Sequence, residues 1–181
     1  MMEAGLKTLT LLRHAKSGWD DAITRDFDRP LNPKGRRAAQ VMGRHLRGES
    51  VAFDHVVASP AVRVRETLEA LSCGLGAALR PSVEARLYLA SAETILDVIR
   101  ELPDAADRVL LVGHNPGLEE LVVTLVADEE PLRATAAEKY PTATVAELVF
   151  VDSWRGVGAG TARLTRFVRP RDLDPELGPD D

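Results

Sequence analysis

Two histidines and two arginines follow apolar runs of the sequence, at the points where buried strands would give way to loops. Arg13 and His14 end the run LTLLRH, and His114 ends the run RVLLVGH. A third run, FDHVVAS, ends at Ser59, and Arg63 follows about one helical turn later. Because ligands bind beyond the carboxyl ends of the strands in open α/β sheets, we expect these side chains to converge at one edge of a sheet.

This set of side chains suits a phosphoryl group. Arginine presents a planar, permanently charged fork to phosphate oxygens, and two arginines can balance the roughly −1.5 to −2 charges of a phosphate monoester near pH 7. One neutral imidazole can attack phosphorus and form a phosphohistidine intermediate, while the second can hydrogen-bond the transferring oxygens. Since the arginines supply the positive charge, the predicted site needs no metal and no other cofactor.

Hydrophobic periodicity indicates the elements that must position these residues. Short apolar runs predict strands at Thr8–Leu12, FDHVVAS and RVLLVGH, a weaker strand at VEARLYLA, and two late strands at TATVAELVFVD and TARLTRFVR. Helical stripes predict helices from Lys34, from SPAVRVRETLEALSCG with Ser59 as N-cap and Gly74 near its C-terminal end, after Ser91, and over NPGLEELVVTLVA.

Strands that alternate with helices predict an α/β fold, a three-layer sandwich with a mostly parallel central sheet and an antiparallel edge formed by the late strands. We expect a surface loop over residues 15–33 and a single domain over residues 1–170. The acidic Pro/Gly segment 171–181 is expected to be a frayed tail.

Composition narrows the classes of protein and partner. The 181 residues carry a net charge of −5, which argues against nucleic-acid binding. The single cysteine, Cys73, excludes an intrachain disulfide and a Cys-rich zinc site. The sequence has no signal-peptide pattern and no run of about 18 apolar residues. We therefore expect a cytoplasmic, soluble monomer without membrane or nucleic-acid partners.

The segments RHAKSGW, SPAVRVRET and VGHNPG together resemble the histidine phosphatase superfamily, which is named for its Arg-His-Gly signature. The flanking RPLNPKG is most similar to its SixA-like branch of phosphohistidine phosphatases, and the resemblance runs from about Thr8 to Arg169. It implies a phosphoglycerate mutase-like fold and a metal-independent phosphatase. It makes His14 the phosphorylated nucleophile, and it makes the rest of the phosphate pocket from Arg13, Arg63 and His114.

Two further residues are candidates for binding the substrate. The resemblance places Arg29, in DRPLN, near the substrate phosphate. Ser17, in the loop after His14, either contacts the phosphate or only stabilises a turn of that loop.

The sequence departs from the family pattern at the proton donor. Many relatives carry a glutamate after the third strand, but Leu89 occupies the matching place here, with Glu84 and Glu93 out of register. A departing alkoxide needs a proton, whereas a phosphohistidine leaves as an imidazole with a pKa of about 6.5, which solvent can protonate. The absent acid therefore favours P–N substrates or activated esters, unless Asp26 or Asp28 supplies the proton, with Asp26 the first choice.

Three functions remain open at this stage. The first is a phosphatase of the SixA-like kind, whose partner is a protein carrying phosphohistidine. The second is a phosphomonoesterase that acts on a sugar phosphate or a similar small metabolite. The third is a non-catalytic phosphate-binding module, against which the pair His14 and His114 argues, because a simple binding site needs no second imidazole.

Overall fold

A computed structural model describes residues 5–18 and 25–179 of the chain. Parts of the predicted loop 15–33 and of the predicted tail 171–181 therefore lie outside the described residues. The described residues form six strands, β1 (Leu6–Arg13), β2 (His55–Ala58), β3 (Ser82–Val83), β4 (Arg108–Gly113), β5 (Val145–Val151) and β6 (Arg163–Val168). They also form six α-helices, α1 (Pro33–Gly48), α2 (Val62–Leu75), α3 (Ala92–Arg100), α4 (Gly117–Leu125), α5 (Pro131–Glu138) and α6 (Pro170–Leu173).

The strands form one sheet in the order β3-β2-β4-β1-β5-β6. β3, β2, β4 and β1 pair in parallel, whereas β5 pairs antiparallel with both β1 and β6. This topology confirms the predicted mostly parallel sheet with an antiparallel edge. Since β1 and β4 are neighbours in register, with Arg13 opposite Gly113, the residues that follow them emerge at the same level.

Side chains that alternate along the central strands build a core on each face of the sheet. Leu9 and Leu11 pack with the layer that contains α3 and α4, whereas Leu12 packs with α1 and α2. All three leucines are almost fully buried. Alternation with period two is what a strand between two helical layers requires, and it confirms the three-layer arrangement.

The second helix begins and ends later than its sequence predicts. α2 starts at Val62 after an N-cap at Ala61, so Ser59 is not the cap. It ends at Leu75, and its C-cap is Gly76, whose φ of 73° lies in the left-handed region that glycine tolerates. Gly74 stays inside the helix, where an added Cβ would lie 2.1 Å from the Gln40 carbonyl oxygen of α1.

Two other segments differ from their predictions. Of VEARLYLA, Val83 alone belongs to a strand, because the short β3 ends there and a 3-10 helix follows at Ala85–Leu87. Helix α5 was missed by the sequence analysis, and it follows Glu130 with a proline at its first position. Of its eight residues only Ala136 is buried, so the apolar stripe that identifies the other helices is weak here.

The predicted frayed tail is contradicted over residues 171–179. After α6 the chain forms a 3-10 helix at Pro175–Leu177, and the buried Leu177 joins a cluster with alanines of α1. Arg37 of α1 forms ion pairs with Asp174 and Glu176, two acidic residues of the segment that was expected to fray. The segment is ordered because one apolar anchor and these opposite charges meet α1, a pairing that composition alone does not indicate.

No helix in the described ranges is both long and apolar enough to cross a membrane.

Candidate active site

The carboxyl ends of β1, β2 and β4 meet around a cavity of about 420 Å³. The His14 backbone N–H donates to the Gly113 carbonyl oxygen at 3.1 Å, which fixes His14 beside the end of β4. The rings of His14 and His114 lie 5.2 Å apart between centroids. The cavity is lined by Arg13, His14, Lys16, Ser17, Asp26, Arg29, Arg63, Leu89, His114, Asn115 and Thr142. The structure thus brings together the predicted site residues, except that Asp28, the alternative proton donor, does not line the cavity.

His14 presents an unprotonated ring nitrogen to the cavity. Its Nδ1 lies 2.8 Å from the Ala15 carbonyl oxygen, and since a carbonyl only accepts, Nδ1 carries the proton and Nε2 carries the lone pair. Burial is the main reason that the pKa of His14 is lowered to about 3, against the smaller opposite effect of the Ala15 hydrogen bond. The ring is therefore neutral at pH 7 and is a competent nucleophile.

Thr67 of α2 holds the turn that follows His14. Its Oγ1 accepts from the Ala15 backbone N–H at 2.9 Å and donates to the Arg63 carbonyl oxygen at 2.6 Å. Thr67 is fully buried, so it links the backbone of the nucleophile's turn to the helix that carries Arg63.

His114 lies between Ser59 and Arg63. Its Nδ1 is 3.2 Å from Arg63 Nη2, and its Nε2 is 2.7 Å from Ser59 Oγ. A guanidinium only donates, so Nδ1 accepts and Nε2 donates its proton to the Ser59 hydroxyl oxygen. Burial, followed by the charge of Arg63, lowers the pKa of His114 to about 4. Ser59, expected to cap a helix, instead fixes the orientation of this imidazole.

Arg63 is 1% exposed and is held by Asp26, which begins the 3-10 helix Asp26–Asp28 that precedes α1. Its Nη1 donates to the Asp26 carbonyl oxygen at 2.8 Å, and its Nη2 donates to Asp26 Oδ2 at 3.0 Å. Arg29 binds the other carboxylate oxygen, with Nε at 3.0 Å and Nη2 at 2.9 Å from Oδ1. The Tyr88 hydroxyl donates to Oδ2 at 2.6 Å. One carboxylate therefore joins both arginines.

The environment of Asp26 argues against its predicted role as the proton donor. Partial burial alone would raise the pKa of its carboxyl, but the Tyr88 hydrogen bond and the charges of Arg63 and Arg29 lower it to about 2. Such a group has no proton to give at neutral pH. The two arginines expected to bind phosphate already bind this carboxylate, and the role of Asp26 as proton donor stays a prediction.

Arg13 is anchored on the other side of the cavity. Its Nη1 donates to the Tyr140 carbonyl oxygen at 3.0 Å, which Asn115 Nδ2 also binds at 2.9 Å. The buried Tyr140 donates its hydroxyl to the Leu11 carbonyl oxygen of β1 at 2.6 Å. The guanidinium of Arg13 is thus set in place by the strand from which it emerges.

The rim of the cavity carries Ser17 and Leu89. Ser17 pairs with Leu31 in an isolated β-bridge, which places it at the entrance. Leu89 is 55% exposed and has a φ of 49°, an unusual backbone conformation for leucine. Glu84, out of register in the sequence, binds Arg86 and does not line the cavity. Asp26 is the only carboxylate among the described residues that line it.

Two close backbone contacts fix the walls of the cavity. A Cβ added to Gly35, in the first turn of α1, would lie 2.1 Å from the carbonyl oxygen of Lys16. A Cβ added to Gly117, at the start of α4, would lie 2.1 Å from the carbonyl oxygen of Ala90. These glycines let α1 approach the loop behind His14, and they let α4 approach the segment that bears Leu89.

Sequence reasoning missed the contacts that orient the named residues. Ser59 and Thr67 were visible as polar residues flanking Arg63, but nothing in their spacing indicates that one binds His114 and the other Ala15. Tyr88 had no signal, because its partner Asp26 is 62 residues away in the chain. Among the described residues, no three His, Cys, Asp or Glu side chains are grouped as a metal ion would require.

Comparison with known proteins agrees with this geometry. The model of the histidine phosphatase superfamily (branch 1) matches residues 9–88. A protein of uncharacterized function from Mycobacterium tuberculosis is 37% identical over 163 residues, which cover 88% of this chain and all of that protein.

Two solved structures extend the likeness to the whole fold. A structure assigned as the phosphohistidine phosphatase SixA of Nakamurella multipartita is 32% identical, with a TM-score of 0.81 over 93% of this chain and 99% of the other. One assigned likewise from Agrobacterium tumefaciens is 29% identical, with a TM-score of 0.77 over 91% and 98%.

Proposed function

The chain belongs to the histidine phosphatase superfamily, in its SixA-like branch, and from that premise we propose that it hydrolyses phosphohistidine carried by a protein. The observation that carries the proposal is His14, a neutral buried imidazole whose Nε2 lone pair faces a cavity lined by arginines. Net positive charge at such a nucleophile favours a dianionic phosphoryl group over neutral carbonyl substrates.

The reaction proceeds in two displacements at phosphorus. His14 Nε2 attacks, a new N–P bond forms, and the P–N bond of the substrate breaks with its electron pair remaining on the leaving imidazole. The other nitrogen of that imidazole either already carries a proton or takes one from solvent, so the group leaves as a neutral imidazole. A water molecule then attacks the phosphoryl group on His14 and releases inorganic phosphate, one proton and the neutral imidazole.

The arginines, Ser17 and His114 have separate parts in these steps. Arg13 and Arg63 bind the equatorial oxygens and stabilise the charge that they carry in the transition state. Arg29 and Ser17 contact the phosphoryl group from the loop side, and His114 orients it from the side of β4. Because arginines carry the charge, the proposed reaction requires no metal or other cofactor.

The leaving group is inferred from the missing acid. Leu89 occupies the rim position where many relatives have a glutamate, and Asp26 carries no proton at neutral pH. A serine or sugar alkoxide would leave slowly from such a site. An imidazole would not, because solvent protonates it near pH 7. This supports protein phosphohistidine over a metabolite ester as the substrate.

The substrate is tested by comparing phosphohistidine, phosphoserine and sugar phosphates in one phosphate-release assay, with a matched peptide for the first two. We expect the phosphohistidine peptide to be hydrolysed at least about 100-fold faster than the esters. Faster release from a sugar phosphate would instead support the metabolite phosphatase. Phosphate binding without turnover of any substrate would indicate that the protein is a non-catalytic phosphate-binding module.

The nucleophile is tested with His14→Ala. We expect turnover to fall at least about 1,000-fold and the acid-labile phosphoenzyme to disappear, because the attacking nitrogen is gone. His55→Ala is the matched control, since His55 begins β2 at the opposite end of that strand and should leave both readouts unchanged. Full activity of His14→Ala would contradict the proposal, and the assay should run unchanged in excess EDTA.

A further inference from the structure

Asp26 lies between the solvent and the arginines that the phosphoryl group needs. The side chain of Arg63 is 2% exposed, whereas that of Asp26 is 35% exposed. Both terminal nitrogens of Arg63 donate to Asp26, one to its backbone oxygen and one to its carboxylate. An oxyanion that binds the guanidinium of Arg63 therefore competes with a carboxylate that already holds it.

The carboxylate and the phosphoryl group cannot hold the same donors together. Two anions sharing one site repel each other, and each guanidinium has a fixed number of N–H groups. Nη2 of Arg63 is already shared between Asp26 and His114. Within the described residues, Nε of Arg63 is buried without an acceptor, and the Asp26 carboxylate is the anion that pairs with this guanidinium.

We propose that the Asp26 carboxylate is an internal competitor of the phosphoryl group, which must release Arg63 before substrate or product can bind there. This inference rests on the proposed role of the arginines in holding phosphate. Asp26 keeps a partner when it lets go of Arg63, because Tyr88 still donates to its carboxylate at 2.6 Å. The exchange is thus a local rotation of a half-exposed side chain.

The competition sets which ligands bind well. A free phosphate ion binds only through its own oxygens. The free-energy cost of displacing Asp26 therefore lowers the affinity for that ion by its full amount. A phosphohistidine on a protein brings further contacts outside the cavity, which offset that displacement. Asp26 therefore selects for protein-borne phosphoryl groups and speeds the release of inorganic phosphate after each turnover.

The test compares Asp26→Asn with Asp28→Asn. Asparagine keeps the shape and removes the charge, and its amide oxygen can still accept at one of the two positions where Asp26 accepts. Asp28 lies on the same turn, pairs with Arg25 at 3.3 Å and is 45% exposed, so its variant makes the same charge change away from Arg63. Inorganic phosphate is titrated into each purified full-length protein by isothermal calorimetry at pH 7, with circular dichroism to verify folding.

We expect Asp26→Asn to bind inorganic phosphate about tenfold more tightly than the wild type, and Asp28→Asn to change binding less than about twofold. Weaker binding by Asp26→Asn would show that the carboxylate only orients the arginines, and equal binding would also overturn the competition. If neither protein binds phosphate, the arginines are not an oxyanion site, and the proposed function fails as well. Asp26→Ser repeats the test if Asp26→Asn does not fold.

Discussion

Two buried cations lie at opposite ends of the parallel sheet, and their partners differ in kind. Lys7, near the amino end of β1, donates to the carbonyl oxygens of Asp104 and Ala106 at 2.6 and 3.1 Å, and to Asp107 Oδ1 at 2.8 Å. These three bonds use all three of its N–H groups. Arg63, at the carboxyl end, relies on the half-exposed Asp26 and the titratable His114, and its Nε lacks a partner within the described residues.

The kind of acceptor distinguishes a structural charge from a functional one in this fold. Two of the three acceptors of Lys7 are backbone oxygens, which cannot be exchanged without unfolding. The acceptors of Arg63 include a side chain that can rotate away, so its donors are available to an incoming anion. A cation whose acceptors can be replaced by an incoming anion is suited to binding.

The sharpest way to break the comparison is Arg63→Lys, which keeps the charge and removes the planar fork. We expect kcat/KM for a phosphohistidine peptide to fall about 100- to 1,000-fold, because an ammonium lacks the rigid planar fork that matches two phosphate oxygens. The melting temperature should change little. Near-wild-type kinetics would mean that Arg63 does not touch the phosphoryl group.

Lys7→Met should give the opposite result. Loss of the ammonium leaves the Asp104 carbonyl oxygen without this donor, so we expect the free energy of unfolding to fall by about 2 kcal/mol. The kcat of the folded enzyme should stay unchanged. Urea denaturation measures the first quantity, and Arg65→Met, at an exposed residue of α2, should change it by less than about 0.5 kcal/mol.

Acid pH should lower the free energy of unfolding through the two histidines at the carboxyl end of the sheet. The pKa values of His14 and His114 are lowered to about 3 and about 4 from the ordinary value of 6.5. Between pH 6.5 and 4 the unfolded chain binds protons that the native protein does not, so stability falls as the pH falls. We expect a loss of about 1–2 kcal/mol per histidine between pH 7 and pH 5.

Urea denaturation at pH 7, 6 and 5 checks this loss, and His14→Gln should reduce the slope. Asp26, whose pKa is lowered to about 2, acts in a different window. Its stabilising effect is present above its usual value of 3.8 and is lost only below it. A flat profile between pH 7 and pH 5 would show that the two imidazoles are not held neutral by burial.

The sequence could predict the sheet and the convergence of Arg13, His14, Arg63 and His114 at one of its edges, because both depend on local patterns. Apolar runs that end in polar residues indicate strands and their carboxyl ends, and parallel neighbours bring those ends together. The partner of Arg63 could not be predicted, since Asp26 lies 37 residues earlier on a loop whose path depends on tertiary packing. The tail was misread for a similar reason, because Leu177 is buried only by contact with α1.

The close contacts at Gly35 and Gly117 bear on how the specificity of this enzyme could be redesigned. Any side chain at either position would collide with a main-chain oxygen. A substitution there would therefore push the cavity walls apart even if every residue that lines the cavity were unchanged. A combinatorial library should therefore hold both positions invariant and diversify the entrance at Leu89 and Ser17. Variation there would change which leaving groups are accepted without loss of the anchored geometry behind them.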